Sequence, residues 1–134
     1  MTLELINPPE LGKPRGYANG VVATGRILYI AGQIGWDADH TFSTDDLIEQ
    51  FGLALDSVLA VVRAAGGKPQ DVAQMTVYVT SLDEYRRAGK RLGQMWRERF
   101  GRHYPAMALV GVAGLVEPLA KVEVEATASL TDPT

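Results

Sequence analysis

Along residues 121–128 polar and apolar positions alternate without a break. Val122, Val124, Ala126 and Ala128 point one way, and Lys121, Glu123, Glu125 and Thr127 point the other. The pattern predicts a half-buried strand whose second face carries the carboxylates Glu123 and Glu125. Just before it, Ala106 to Val112 is small and apolar and Gly114 to Pro118 reads as a turn, so His103–Glu125 is expected to form strand, turn, strand. Asp71 to Thr80 alternates as well, with Met75, Val77 and Val79 opposite Thr76, Tyr78 and Thr80. Met1 to Ile6 is a short strand that Asn7-Pro8-Pro9 ends, because proline donates nothing to a ladder. Tyr17 to Thr24 and Arg26 to Ile34 read as a hairpin around Thr24-Gly25. Gly32 inside the second of these predicts a bulge or a close backbone approach, and Trp36 to Phe42 a polar loop.

Two stretches change to helical spacing. Leu47, Phe51, Ala54, Leu55, Val58, Leu59 and Val62 follow a Ser43 cap, with Asp45 and Asp46 complementing the dipole and Gly66-Gly67 as the stop. Ser81 with Glu84 has the capping-box pattern, and Tyr85, Ala88, Leu92, Met95 or Trp96, and Phe100 define a helix that stops at Gly101. Gly89 and Gly93, four apart inside that helix, each cost about 1 kcal/mol relative to alanine. They either pack closely on the sheet or make room for a ligand.

The order β-β-β-α-β-α-β-β makes this an α+β chain, with the helices on one face of a five- to six-stranded sheet. The other face, carrying Thr76, Tyr78, Glu123 and Glu125, is too mixed for a core and too rich in strand formers for plain solvent. Such a face is expected to meet another subunit, giving a homo-oligomer with ligand sites near the seams.

Composition narrows this picture. A chain of 134 residues fits one domain spanning 1–134. A net charge of −3 argues against a dedicated nucleic-acid binder. Cysteine is absent and only His40 and His103 could supply imidazoles, which excludes thiol nucleophiles, disulfides and multi-histidine metal sites. No apolar run approaches the ~20 residues that span a bilayer, and the start of the chain lacks a signal pattern, so a cytoplasmic location is expected.

The candidate chemistry lies on the mixed face. Glu123 and Glu125 are either sheet-face carboxylates paired with cations across a subunit contact or a general acid or base, a role that burial favours by raising a carboxyl pKa. Arg86, Arg87, Lys90, Arg91, Arg97, Arg99 and Arg102 make up seven of the thirteen basic residues. They read first as a solvated helix face; an RNA-binding strip would need interleaved aromatics that are missing. His103 reads as structural, and Trp36 as a cap on a core or interface or as a pocket wall. No nucleophile elbow, phosphate loop or dinucleotide fingerprint is present.

Several segments together resemble one family. They are Gly16-Tyr17-Ala18-Asn19, Ala31-Gly32-Gln33-Ile34, Val77-Tyr78-Val79 before Leu82, Tyr104-Pro105-Ala106 with Val110 to Leu115, and Val122-Glu123-Val124-Glu125. In that order they resemble the Rid (reactive intermediate deaminase) family, also called YjgF or L-PSP endoribonuclease-like. The resemblance implies a chorismate-mutase-like fold and homotrimers whose sheets build a central barrel, with ligand clefts between subunits. It also implies hydrolysis of small enamines and imines to a ketoacid and ammonia, with no metal or organic cofactor. It makes Tyr17 the cleft tyrosine, Gly32 the glycine whose backbone approaches the ligand, and Glu123 the glutamate that positions water.

Four positions depart from the family pattern. Met107 stands where the resemblance implies an arginine that grips the substrate carboxylate, Leu109 for a cysteine, Ala31 for a serine or threonine, and Gly89 for an asparagine on the second helix. A charged hydrogen bond of the missing kind is worth roughly 1.5–3 kcal/mol. The resemblance is therefore to the arginine-lacking subgroups, with a larger, more apolar pocket. A non-enzymatic trimer that binds a small ligand or protein is the alternative. Ribonuclease activity is disfavoured by the acidity and the missing arginine.

Overall fold

The structure is a computed structural model that describes residues 3–131; Met1 and Thr2, part of the first expected strand, lie outside them. The elements run β1 (Leu3–Ile6), β2 (Gly20–Ala23), β3 (Arg26–Ile34), α1 (Leu47–Ala64), β4 (Val72–Val79), α2 (Leu82–Arg86), α3 (Lys90–Phe100), β5 (Ala106–Gly111) and β6 (Val122–Leu130). The strands form a four-stranded sheet in the order β3-β6-β4-β5 and a separate pair, β1-β2. β4 and β5 are parallel, and the other pairs are antiparallel. The parallel pair is possible because α2 and α3 supply the crossover between its strands.

The alternation sorts residues as the sequence predicts. Val72, Met75, Val77 and Val79 of β4 and Val122, Val124, Ala126 and Ala128 of β6 are buried beneath α1 and α3. Phe51, Leu55, Val58 and Val62 of α1, with Phe100 of α3, close over them. The indole Nε1 of Trp96 donates to the His103 carbonyl at 3.0 Å, and His103 Nε2 lies 2.7 Å from the Val72 carbonyl, so this histidine ties the end of α3 to the sheet. Among the described residues no helix is long and apolar enough to cross a membrane.

Several local expectations are corrected. Tyr17–Thr24 and Arg26–Ile34 do not form a hairpin. β2 pairs with β1, and β3 pairs along β6. Gly25, at φ 115°, turns the chain so tightly onto Leu130 that the strand enters beside the end of β6 instead of folding back on β2. β5 and β6, the strands expected on either side of the Gly114–Pro118 turn, both flank β4. Ser43 is not the cap of α1. The cap is Asp46, next to the first apolar residue of the stripe, and its carboxylate accepts from the Glu49 N–H at 2.9 Å.

The second helix is not continuous. It breaks at Gly89, whose φ of 60° leaves the helical region, and restarts at Lys90. Gly89 and Gly93 therefore do not share a helix face, and neither packs on the sheet. A Cβ at Gly89 would meet nothing within 4 Å, and one at Gly93 would first meet the Arg97 side chain.

The basic helices are partly spent on internal ties. Arg91 grips Asp46 at 2.6 Å, and Arg99 binds Asp56 at 2.8 Å and the Gly52 carbonyl at 2.9 Å. The Arg91 hydrogen bond, then the Glu49 N–H, holds the Asp46 carboxyl below its usual range. Asp46→Ala should lower stability by about 1 kcal/mol in urea denaturation at neutral pH. A depressed folded-state pKa contributes above the unfolded value and is lost as pH falls through the folded one, so wild type and variant should converge below about pH 4.

Candidate functional site

Glu123 lies one residue into β6, opposite Tyr78 on β4 and Ile34 on β3. The β3–β6 register shifts between Ile30 and Gln33, so Ala31 and Gly32 sit in a bulge, as the glycine inside an alternating strand suggested. The side chain of Glu123 folds directly over Gly32. A Cβ there would lie 2.8 Å from Glu123 Cδ and 3.1 Å from Cγ, so a side chain at this position would push the carboxylate aside. Among the described residues the Glu123 carboxylate takes part in no hydrogen bond or ion pair. It is half-buried, beside exposed backbone at Ala31 and Gly32. Such a carboxylate can accept a proton from water or hold a protonated nitrogen.

Glu125 is placed differently. It accepts from the Tyr78 hydroxyl at 2.5 Å. That hydrogen bond, followed by desolvation and the charges of Glu125 and Glu123, pushes the phenol above its usual pKa. Tyr78 thus stays a donor at neutral pH and occupies Glu125, while Glu123 accepts from no protein donor among the described residues. The surrounding sheet face is uncovered: Ile27, Tyr29 and Val110 are exposed, Tyr29 by 81%.

The remaining predicted site residues lie elsewhere in the chain. Tyr17 is exposed, and its neighbour Ala18 donates to the Pro105 carbonyl at 2.9 Å and bridges in parallel to Ala106. Tyr17 therefore flanks the free edge of β5, with β5 and β4 between it and β6. Three strand spacings separate the backbones, about 14 Å across the sheet. Met107 and Leu109 pair with Met75 and Val77, on the helix-covered face, and pack against the core. Glu123, in register with Tyr78 and Val110, is on the opposite face. Gly89 is an exposed break between α2 and α3 and not, as expected, a residue within a helix. One chain thus unites Glu123, Ala31 and Gly32 but separates them from Tyr17, Met107 and Leu109.

Other singled-out groups take structural places. Trp36 stacks on His40 with ring centroids 4.1 Å apart. A cavity of about 480 Å³ is lined by Leu3, Leu5, Lys68, Asp71 and His103 and contains none of Tyr17, Ala31, Gly32, Gly89, Met107, Leu109 and Glu123. Sequence reasoning passed over Gln50, which is fully buried beside the site strands. A lone amide within the apolar stripe of α1 was the available signal.

Comparison with known proteins places the chain. A sequence-family profile described as Endoribonuclease L-PSP matches residues 10–130. A 2-iminobutanoate/2-iminopropanoate deaminase from Dermatophagoides farinae is 28% identical, over 90% of this chain and 91% of its own. The Rid-family protein YyfB from Yersinia pestis superposes with a TM-score of 0.85 at 31% identity, covering 97% of this chain and all of its own. The crystal structure of Escherichia coli TdcF with bound serine superposes at 0.69 with 30% identity, over 90% and 92% of the two chains.

Proposed function

The chain belongs to the Endoribonuclease L-PSP family, which includes the Rid proteins, and from that premise we propose that it hydrolyses a reactive imine or enamine. The observation that carries this reading is the Glu123 carboxylate seated over Gly32 without a protein partner among the described residues. Water held by Glu123 adds to the carbon of a C=N bond as the carboxylate takes its proton. That proton passes to nitrogen to give a carbinolamine, whose hydroxyl proton then follows to the amine through the same carboxylate as the C–N bond breaks, and a carbonyl compound and ammonia leave.

The substrate we infer lacks a small α-carboxylate, because Met107 stands where the family resemblance implies the arginine that grips it, and methionine cannot pair a carboxylate. This makes the chain an arginine-lacking member of its family. The distance between Tyr17 and Glu123 supports a homotrimer in which the two come from different subunits. The exposed Ile27, Tyr29 and Val110 give such a contact apolar surface.

Ammonia release decides the matter. Imines generated in situ, one neutral and one 2-iminobutanoate, are mixed with purified protein. The neutral imine is expected to hydrolyse faster than in buffer and to be preferred to 2-iminobutanoate. Thermal stabilisation by these compounds without ammonia release would replace the enzyme with a binding protein.

A further inference from the structure

One amide lies wholly inside the apolar layer between α1 and the sheet. Gln50 is 0% exposed, and it is followed by the core residue Phe51. Burying an amide is costly unless hydrogen bonds replace its water. Its Nε2 donates to the carbonyls of Thr44 and Leu119, each at 3.0 Å, and its Oε1 accepts from the Lys121 N–H at 2.8 Å. Leu119 and Lys121 lead directly into β6. The Gln50 backbone also touches the end of β3, where a Cβ on Gly35 would lie 2.7 Å from Gln50 Cα.

These contacts converge on the candidate site. Lys121 precedes Glu123 by two residues, Gly35 follows Gly32 by three, and Ile34 pairs with Glu123. Two further groups hold Lys121: Thr80 donates its N–H to the Lys121 carbonyl at 3.0 Å, and Glu84 takes the ammonium at 3.3 Å. Those bonds tie β6 to β4 and α2, whereas Gln50 ties the start of β6 to α1 and rests against the end of β3. Glu123 has no side-chain bond of its own among the described residues, so its backbone sets its aim.

We propose that Gln50 is a positioning residue that holds the start of β6 against the end of β3 and thereby keeps the Glu123 carboxylate over Gly32. The kinetic part of this inference rests on the imine-hydrolase reading; the geometric part does not. Misplacing a reacting group by about 1 Å can cost ~10²-fold in rate, so loss of the amide should appear in turnover more than in binding.

Gln50→Met keeps most of the volume and removes all the amide bonds. Val58→Ala, on the same helix and in the core, is the control for stability lost without displacing the site. With a neutral imine, Gln50→Met should lower kcat by ~10-fold or more and leave KM within about 3-fold, while Val58→Ala changes neither appreciably. Independently of turnover, the ¹³C carboxyl resonance of Glu123, assigned by its loss in Glu123→Gln, should move in Gln50→Met and stay in place in Val58→Ala. If wild type releases no ammonia, the hydrolase reading fails and the resonance alone decides the positioning role. If Gln50→Met does not fold, Gln50→Glu, which keeps an acceptor for the Lys121 N–H, carries the same comparison. Equal changes in the Gln50 and Val58 variants would reduce Gln50 to a stability residue.

Discussion

Glu123→Gln is expected to reduce imine hydrolysis by ~10²–10³-fold, about 3–4 kcal/mol of transition-state stabilisation, with no loss of fold. Glutamine has nearly the same shape, so it fits over Gly32 as the glutamate does. It cannot take a proton from water. No protein hydrogen bond or ion pair to Glu123 is broken among the described residues, so stability should hold within about 0.5 kcal/mol. Glu125→Gln is the matched comparison. It changes the partner of Tyr78 and should leave turnover within about 3-fold, because that carboxylate is already occupied by a hydroxyl donor. Steady-state ammonia release and urea denaturation on both variants separate chemistry from stability. Equal activity losses in the two variants would move the reaction away from Glu123 and toward the charge of the whole face.

Much of this fold was legible because β4 and β6 alternate with period two and α1 repeats with period 3.6. Those periods determine which side chains go inside. They do not determine which strand lies beside which. Adjacency in sequence around Thr24-Gly25 suggests β2 as the partner of β3, yet Gly25 approaches Leu130 closely and β3 pairs with β6. The break in the second helix was hidden for a related reason. Helix propensity treats Gly89 as a costly interior residue, whereas its role is a backbone angle that a helix cannot contain.

The site was half legible. Gly32 inside a strand signalled a close approach, and the approaching group is Glu123. The two carboxylates on one face looked alike in sequence. What separates them is Tyr78, on another strand, whose hydroxyl occupies Glu125. The relation of Tyr17 to Glu123 was not legible at all. Sequence order says nothing of the strands that lie between them, and the 14 Å estimate from strand spacing follows only from the order β3-β6-β4-β5. Gln50 escaped notice because a single polar residue in an apolar stripe leaves the helical period intact, while its partners Leu119 and Lys121 are remote in the chain.

Gly35→Ala should destabilise the protein by about 3 kcal/mol. Its added carbon would lie 2.7 Å from both Cα and the carbonyl oxygen of Gln50 and 2.8 Å from Gln50 Cβ. Two of those atoms are helix backbone, which cannot rotate aside as a side-chain tip can. Either the end of β3 or a turn of α1 must move, and Phe51 and Leu55 lock that turn into the core. Gly93→Ala is the contrasting case. Its new carbon would meet the flexible end of Arg97 at 2.9 Å, so the gain in helix propensity, up to about 1 kcal/mol, should offset the contact. The Gly35 effect should also reach the chemistry, since displacing Gln50 loosens the Leu119 and Lys121 bonds that lead to Glu123. Urea midpoints and ammonia release measured together on Gly35→Ala and Gly93→Ala test both links. A Gly35→Ala protein as stable and as active as the Gly93→Ala one would mean that β3 does not rest on α1 at Gln50.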